Sequence, residues 1–519
     1  MSASPVDLAG ERGRGQRLAA LPRLKTHTAL LKRDNNPHHP WWRMTKCFIL
    51  SVVTIWVATN SAPLSLVAVE SDGEPVPIGS RLEMFVDDWL IDSTRSLGNV
   101  LLQLQSPVKR EIVLVTDKPW EGPDSAYFTV FQDGPLVRLY YRGIVPAGDT
   151  STGQVTCYAE SADGIHFTRP NLGLVEFQGS KENNIIYQGL EAHNFAPFRD
   201  ANPSAKREER YKALGGILSK LYAFGSPDGL HWNKLQSNPV MTQGAFDSLN
   251  LSFWDERTQN YRCFSRYGDE GVRAIQSCTS TDFLHWTAPV PNRYPQHAPK
   301  EHFYTNGTRP CPGAPHLYLS FPKRFVPERK KFADYPEMGI SDAVFLSSRD
   351  GVNWDRTFLE AWVRPGLDNR NWTQRSNMPA WGIVQLDPAE FSLYITEHYE
   401  WPDHRLRRIT VRRHGFASVH ASAAGGEFTT RPLTFTGKYL ILNYATSAAG
   451  ALLVEVQDQQ GKPIEGRTLA DMPTLFGNEL DAVVIWKSGS DLSNLIGKPV
   501  RFRFVLKDAD LFALRTGTL

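Results

Sequence analysis

The sequence predicts an all-β protein, a five-bladed β-propeller followed by a C-terminal β-sandwich. A Ser-x-Asp-Gly-x-x-aromatic motif recurs four times, starting at Ser161, Ser226, Ser280 and Ser348. Short strand-like runs precede every copy, and repeats at this spacing are typical of propeller blades. Of the 519 residues, 41% are hydrophobic and 11% aromatic, which excludes a disordered, collagenous or coiled-coil chain.

The first 68 residues differ from the rest of the chain. Residues 1–43 are rich in Arg, Pro, His and Asn and show no apolar periodicity. Residues 44–68 have the short basic start, the brief apolar run and the small residues of a secretory signal peptide. We expect Met44 to be the true initiator and residues 1–43 to be a mis-assigned or disordered extension; a cytoplasmic tail before a signal anchor is the alternative. The apolar run Cys47–Ala58 is shorter than the roughly 20 residues of a membrane span.

The sequence therefore predicts an exported protein, periplasmic or extracellular, with no stable membrane span after signal cleavage. The whole chain carries a formal charge of +2. Residues 1–68 hold nine basic and three acidic residues, which leaves 48 basic and 52 acidic residues in the remainder. No basic domain for nucleic acid remains.

The repeated motif has a local physical explanation. Asp-Gly supplies the positive φ of a tight hairpin turn, the Ser hydroxyl can bond across the turn, and the aromatic residue covers the outer strands. The third copy has Phe283 in place of Gly. A single copy would be an ordinary hairpin turn, whereas four copies at blade-length spacing favour a propeller over residues 80–415.

Each copy ends a set of strand-like runs, and five sets are expected. The fifth set lacks an outer strand, and Leu82–Ile91 could supply it and close the ring. The first strand-like run of each set is Ala126–Phe131, His193–Phe198, Asp247–Trp254, His302–Thr308 and Pro379–Leu386.

Residues 416–519 lack the motif and contain short strand-like runs separated by turns, which suits a β-sandwich. Four cysteines follow the signal segment: Cys157, Cys263, Cys278 and Cys311. Counting outward from Gly268–Gly271 sets Cys263 opposite Gln276, so we expect buried free thiols rather than a disulfide.

Propeller geometry predicts where chemistry would occur. The start of each innermost strand and the end of the second strand lie at the same mouth of the central channel. A carboxylate before a strand is more often a turn or cap residue. Polar residues recur at one mouth of the channel, however, and this recurrence favours a functional role for them. The candidates at strand starts are Asp124, His193, Asp247, Glu301, His302 and Tyr304, and those at second-strand ends are Arg142, Arg266, Arg324, Glu397 and His398.

The sequence does not support several other classes of functional site. The chain has no Gly-rich phosphate loop, His-Glu-x-x-His helix, Gly-x-Ser-x-Gly elbow or Cys-x-x-Cys pair. We therefore expect no cofactor and no catalytic metal, and the sequence leaves open a structural calcium in the channel.

The layout Asp124-x-x-x-Phe128-x-Val130-x-x-Asp133-Gly134 before Leu139–Tyr141 resembles the first blade of the five-bladed glycoside hydrolases of families 32, 43 and 68. The Ser-x-Asp-Gly turns and an appended sandwich are also similar to that group. The region Ser161 to Asn184, with Pro170-Asn-Leu172-Gly173-Leu174 and Asn183-Asn184-Ile185, resembles exported bacterial propeller proteins described as glycosyl-hydrolase-like. The Trp-x-Asn-Asp-Pro, Arg-Asp-Pro and Glu-Cys signatures of family 32 are absent, so its fructoside specificity is not carried over.

The resemblance implies a secreted glycoside hydrolase that cleaves an oligo- or polysaccharide with paired carboxylates. It implies Asp124 as nucleophile or base, Asp247 as a second or orienting acid, and Glu301 as general acid with Glu397 as its rival. Arginines at the mouth would hold an anionic group of the carbohydrate. Two alternatives remain: a non-catalytic carbohydrate-binding or surface propeller, and a sialidase, whose repeat box is one residue longer and whose ring has six blades.

Overall fold

The computed structural model describes residues 74–96, 98–144 and 153–518. Over these ranges the chain forms 30 β-strands and five short 3₁₀ helices, with no α-helix, so the all-β prediction is confirmed. No helix in this part of the chain is long and apolar enough to cross a bilayer. The predicted extension 1–43 and signal peptide 44–68 lie outside the described residues. The 3₁₀ helices are Leu190–Asn194, Arg207–Glu209, Asn369–Asn371, Leu469–Asp471 and Ser493–Leu495.

Three antiparallel four-stranded sheets follow one another along the chain, each built from consecutive segments. Sheet 1 contains Ala126–Asp133, Leu136–Ile144, Gln154–Ser161 and Ile185–Gln188. Sheet 2 contains Ala196–Arg199, Tyr211–Ile217, Lys220–Ser226 and Asn233–Lys234. Sheet 3 contains Leu251–Asp255, Asn260–Asp269, Val272–Ser280 and Val290–Pro291.

Two separate three-stranded sheets come next, and we refer to them together as sheet 4. Its two three-stranded ladders meet where the chain passes from Ser320 to Lys323, and Pro322 between them has no N–H to donate to a ladder. One ladder contains Arg309–Cys311, Ala314–Ser320 and Leu346–Ser348, and the other contains His302–Phe303, Lys323–Val326 and Ile340–Ala343.

Sheet 5 contains Glu390–Glu397, Arg405–Arg412 and an outer strand from much earlier in the chain, Val108–Val115. Single bridges at Pro379 and Val384 add an inner segment. The expectation that Leu82–Ile91 supplies the missing strand is therefore wrong.

The sequence pattern is misleading because three of the eight residues in the true outer strand are charged. These side chains pair with residues on the other two strands of sheet 5: Lys109 with Glu397 (3.1 Å), Arg110 with Glu390 (2.9 Å) and Glu111 with Arg408 (2.8 Å).

A nine-stranded sheet contains strands from both ends of the described chain. Two of its strands, Tyr439–Asp458 and Val500–Gly517, are long and pair with each other. Glu83 and Met84 pair with Leu514 and Ala513 in this C-terminal sheet. Most of its apolar residues form a core of their own, and a second cluster joins Met84, Ala417 and Ala513 of this sheet to residues of sheets 4 and 5. The other strands are Val76–Gly79, Glu83–Met84, Val100–Leu104, Ala417–Ala421, Gly426–Thr429, Leu433–Phe435 and Asn478–Val483.

The four Ser-x-Asp-Gly motifs form equivalent turns at the end of a sheet's third strand. In the first copy, Ser161 Oγ accepts the Gly164 N–H (2.9 Å), while Asp163 Oδ1 accepts the N–H groups of Ile165 and His166. The same bonds recur in the other three copies. Phe283 adopts the left-handed φ of 69° that glycine adopts elsewhere. The predicted turn chemistry is confirmed.

The register of the sheet 3 hairpin differs from the prediction. Its loop is Glu270-Gly271, and Cys263 lies directly opposite Cys278 rather than Gln276. The count from sequence was centred one residue too early. All four cysteines of the described chain are nevertheless free and buried.

Neighbouring sheets share recurrent contacts. Tyr140 of sheet 1 donates to the carbonyl of Gly229 in the sheet 2 turn (3.1 Å), and Tyr394 of sheet 5 donates to Gly164 in the sheet 1 turn (2.7 Å). Val130 N–H of sheet 1 donates to Trp381 O beside sheet 5 (2.8 Å). A cavity of about 370 Å³ is lined by the innermost segments of all five sheets.

Candidate functional site

The functional candidates meet where two chain segments come together. Asp124 lies just before the first strand of sheet 1, and Glu400 lies in the loop between the two main strands of sheet 5. The Glu400 N–H donates to the carbonyl of Pro123 at 3.0 Å. His398 and Glu400 both have left-handed φ values, 58° and 61°. This strained loop brings the carboxyl group of Glu400 to that of Asp124.

Asp124, Glu400 and Glu337 form what we call the carboxyl cluster. The carboxyl groups of Asp124 and Glu400 lie within hydrogen-bonding reach, as do those of Glu400 and Glu337. Asp124 Oδ1 and Glu400 Oε2 are buried, and no donor among the described residues reaches them. Two carboxylates can contact in this way only when one of them is protonated.

The electrostatics assign that proton to Glu400. Burial, with the neighbouring charges of Glu337 and Asp124, raises the pKa of Glu400 to about 8. Burial also raises the pKa of Asp124, but Arg142 and Arg375 oppose this shift. At neutral pH Glu400 is therefore protonated, and Arg142 and Arg375 favour the ionised form of Asp124.

Two arginines connect this cluster to the rest of the site. Arg142 Nη2 donates to the backbone carbonyl of Asp124 (2.8 Å), and its guanidinium lies over the ring of Tyr127. Arg375 donates to the hydroxyl groups of Tyr399 and Tyr304. Arg375 thus lies between the carboxyl cluster and a second group of side chains.

Lys323, Arg266, Arg273 and Tyr304 form that second group, the cation cluster. The Lys323 ammonium lies 3.9 Å from the Tyr304 ring centroid, and the guanidinium carbons of Arg266 and Arg273 lie 4.7 Å and 5.4 Å from it. Burial of Tyr304 opposes its ionisation, but Arg375 and Arg266 outweigh burial and lower the pKa of Tyr304 to about 8. Burial, with repulsion from Arg375 and Arg273, lowers the pKa of Lys323 well below its usual range.

The cation cluster has unused hydrogen-bond donors. Lys323 is fully buried, and its Nζ has no acceptor among the residues that the structure describes. Arg266 is 6% exposed; its Nη2 pairs with the carboxylate of Asp247, while its Nη1 is buried without an acceptor. Asp247 itself is half exposed.

The structure brings six of the sequence candidates together: Asp124, Arg142, His193, Asp247, Arg266 and Tyr304. His193 packs against Tyr127 and its Nδ1 hydrogen-bonds with Gln154 (2.9 Å). Burial, with the charges of Arg142 and Arg375, lowers the pKa of His193 to about 3, so its ring is neutral at physiological pH.

Glu301 and Arg324 belong to a different ion-pair group. Glu301 is held by Arg324 (2.9 Å) and Arg356 (2.6 Å), and Arg324 also binds Asp342. Both carboxylate oxygens of Glu301, the expected general acid, therefore bind guanidinium groups, which suits an ion-pair role better than proton donation. His302 accepts the backbone N–H of Arg273 (3.2 Å) and so touches only the edge of the cation cluster.

Glu397 and His398 are also held by ion pairs. Glu397 is 1% exposed and contacts Lys109, Arg405 and Arg407. Burial would raise its pKa, but the three cations outweigh burial and lower it, the opposite of what a general acid needs. His398 lies between Asp403 (2.8 Å) and Asp368 (2.7 Å). These ion pairs place Glu397 and His398, which the sequence suggested as site residues, at the base of the loop that carries Glu400.

Five site residues were missed as candidates: Glu400, Glu337, Arg375, Lys323 and Arg273. Glu400 follows the favoured Glu397 by three residues, and Lys323 directly precedes the favoured Arg324. A signal for Lys323 existed, because strand alternation sends Lys323 and Arg324 to opposite faces. Glu337 lies on a loop with no such pattern. Across the described ranges no group of three or more His, Cys, Asp or Glu side chains is arranged to hold a metal ion.

No protein-family model matches the sequence, and no curated protein matches it. Similar solved structures include an N-acetylgalactosamine deacetylase from F. plautii in complex with blood group B trisaccharide (12% identity, 61% of this chain and 96% of that chain, TM-score 0.40). Others are a glycosyl hydrolase from Bacteroides ovatus (15%, 63% and 95%, TM-score 0.35) and a structure from work on GH130 mannoside phosphorylases and glycoside hydrolases that target β-1,2 mannosidic linkages in Candida mannan (14%, 60% and 94%, TM-score 0.36).

Proposed function

We propose that the protein is a glycoside hydrolase that cleaves an oligo- or polysaccharide, with Glu400 as general acid and Asp124 as nucleophile or base. The observation that carries the proposal is the contact between a protonated Glu400 and an Asp124 backed by arginines. Glycoside cleavage needs such a pair: one carboxyl group protonates the leaving oxygen, and one ionised carboxylate attacks or activates water.

The hydrogen-bond contact between the two groups is shorter than the roughly 5 Å or more that separates catalytic carboxyl groups in glycosidases. The scissile bond would separate the two groups on entering between them: its oxygen would take the proton of Glu400, and its anomeric carbon would face Asp124 or the water that Asp124 activates. The protonated acid would then already face its acceptor, and Arg142 and Arg375 would keep Asp124 ionised. Asp247, paired with Arg266, would orient the substrate rather than react.

We also propose that sheets 1–5 are the blades of a five-bladed propeller, similar to that of glycoside hydrolase families 32 and 43. The contact from Tyr394 to Gly164 repeats the contact from Tyr140 to Gly229, which supports sheet 5 as the neighbour of sheet 1. The cavity lined by all five inner segments would be the central channel. The propeller would then span residues 108–415, and residues 74–104 would join residues 416–518 in the sandwich.

The protein is proposed to be exported, with translation starting at Met44 and a signal peptide over residues 44–68. This rests on the sequence alone. Amino-terminal sequencing of the protein recovered from the producing cell's envelope or medium tests it, and a mature start before Met44 would contradict it.

A glycan panel tests the proposed function. The wild-type chain, Asp124→Asn and Glu400→Gln are incubated with neutral and acidic oligosaccharides, and both binding and reducing-end release are measured. Glu427→Gln, which removes a partly exposed carboxylate bound to Arg503 in the C-terminal sheet, is the matched control. We expect turnover by the wild type and the control only. Binding without turnover by any of the four proteins would instead show a carbohydrate-binding propeller.

A further inference from the structure

We propose that the cation cluster binds an acidic group, a carboxylate or sulfate, carried by the sugar that the enzyme cleaves. The inference rests on the proposed function, because it names the class of substrate for the same site. Lys323, Arg266 and Tyr304 would make the direct contacts, and Arg375 would connect them to the carboxyl cluster.

The first argument is burial without compensation. Charged side chains in a protein interior are normally paired, because removing an ammonium or guanidinium group from water is costly. Lys323 is fully buried and its ammonium has no acceptor within the described chain. The acid whose charge acts on Lys323 is Glu337 of the carboxyl cluster, and it forms no hydrogen bond with the ammonium group. Asp247 is already bound to Arg266.

The second argument is convergence. Lys323, Arg266, Arg273 and Arg375 all lie within 5.6 Å of the ring centroid of Tyr304. They come from sheet 3, from sheet 4 and from the segment before sheet 5. Arg375 and Arg273 repel the charge of Lys323, so the common location of these cations is explained by an anion that binds among them.

The third argument is donor geometry. The free Nζ of Lys323 and Nη1 of Arg266, together with the hydroxyl group of Tyr304, are donors beside one ring, and oxyanions are bound by several such donors at once. Arg375 donates to Tyr304 and also faces Asp124. An acidic group held here would place the sugar that carries it next to the carboxyl pair.

Calorimetric titration of the full chain tests the inference without requiring turnover. The probes are three matched pairs: glucuronate with glucose, galacturonate with galactose, and glucose 6-sulfate with glucose. Inorganic phosphate is a separate probe for a free oxyanion. We expect at least one acidic sugar to bind about tenfold or more tightly than its neutral partner, as charge-assisted hydrogen bonds imply, and more tightly than phosphate.

Two variants identify the residues. Lys323→Met and Arg266→Gln should each abolish most of this preference, whereas Lys300→Met, which removes a lysine paired with Asp269 and Glu270 on the surface, should retain it. A thermal melt of each variant checks folding. If Lys323→Met did not fold, a loss of preference in a folded Arg266→Gln would decide the question.

The outcomes separate this inference from the proposed function. Equal binding of all acidic and neutral sugars would overturn the inference, even if a neutral glycan were cleaved. Tighter binding of phosphate than of every acidic sugar would also overturn it, because the oxyanion would then not belong to the substrate. Selective binding of an acidic sugar without cleavage of any glycan would support the inference and contradict the proposed function.

Discussion

The carboxyl cluster and the cation cluster are adjacent, and both hold buried ionisable groups of like charge. In the carboxyl cluster, burial and the neighbouring acids raise the pKa of Glu400 to about 8, so protonation of Glu400 removes the repulsion. In the cation cluster, burial and neighbouring cations lower the pKa of Lys323, but guanidinium groups do not lose their protons. The first cluster can therefore relieve its repulsion alone, whereas the second needs an anion. This difference indicates proton transfer in one and recognition in the other.

The largest expected effect is in the carboxyl cluster. Glu400→Gln should lower kcat by about 10²- to 10⁴-fold on natural glycans, which is the usual contribution of general acid catalysis. On an aryl glycoside whose leaving group needs no protonation, the same variant should lose far less activity. Steady-state kinetics on both substrates measure the difference, and equal losses on the two would contradict the assignment of Glu400 as the acid.

Arg375 should affect both clusters, because it contacts Tyr304 and Tyr399 and opposes protonation of Asp124. We expect Arg375→Gln to lower kcat and raise KM for an acidic substrate, each by roughly tenfold. Arg324→Gln removes a cation from the neighbouring ion-pair group and is the comparison variant. A change in KM alone would place Arg375 in recognition only.

The pH dependence of activity should follow Glu400. Its protonated form is the acid, so activity should fall as pH rises through about 8. Glu337→Gln removes a negative neighbour that helps to raise this pKa, and the alkaline limb should therefore move to lower pH. A pH profile of kcat/KM for both proteins measures the shift, and an unchanged alkaline limb would show that Glu337 does not act on Glu400.

The smallest expected effect is on stability. Lys323→Met replaces a fully buried, unpaired ammonium group with an apolar side chain of similar length, and such replacements are often neutral or stabilising by about 1–4 kcal/mol. The Tm should rise by a few degrees, measured by calorimetry in the absence of ligand. A large fall in Tm would mean that Lys323 has a structural partner and would weaken the case for an anion site.

The sequence predicts the repeated turns well because their chemistry is local. Ser161, Asp163 and Gly164 contain all the atoms that the turn needs, so the motif alone specifies the structure. The site depends on distant partners and was predicted only in part. Glu397 and Glu400 look equivalent in sequence, but Glu397 meets Lys109 from a strand almost 290 residues earlier, whereas Glu400 meets other acids. Only the tertiary structure shows that cations surround one carboxyl group and that acids lie beside the other.

The outer strand of sheet 5, Val108–Val115, has a consequence for how the chain folds. Its partner strand, Arg405–Arg412, is synthesised long after it. Arg110 donates a hydrogen bond to Thr410, which lies 300 residues later in the chain. Until then the strand is an unpaired edge, which is a common site of aggregation. The edge stays hydrated until its partner strand is available, because it carries the charged side chains of Lys109, Arg110 and Glu111. We therefore expect sheets 1–4 to form first and the pairing of this strand to be a late, slow step in folding.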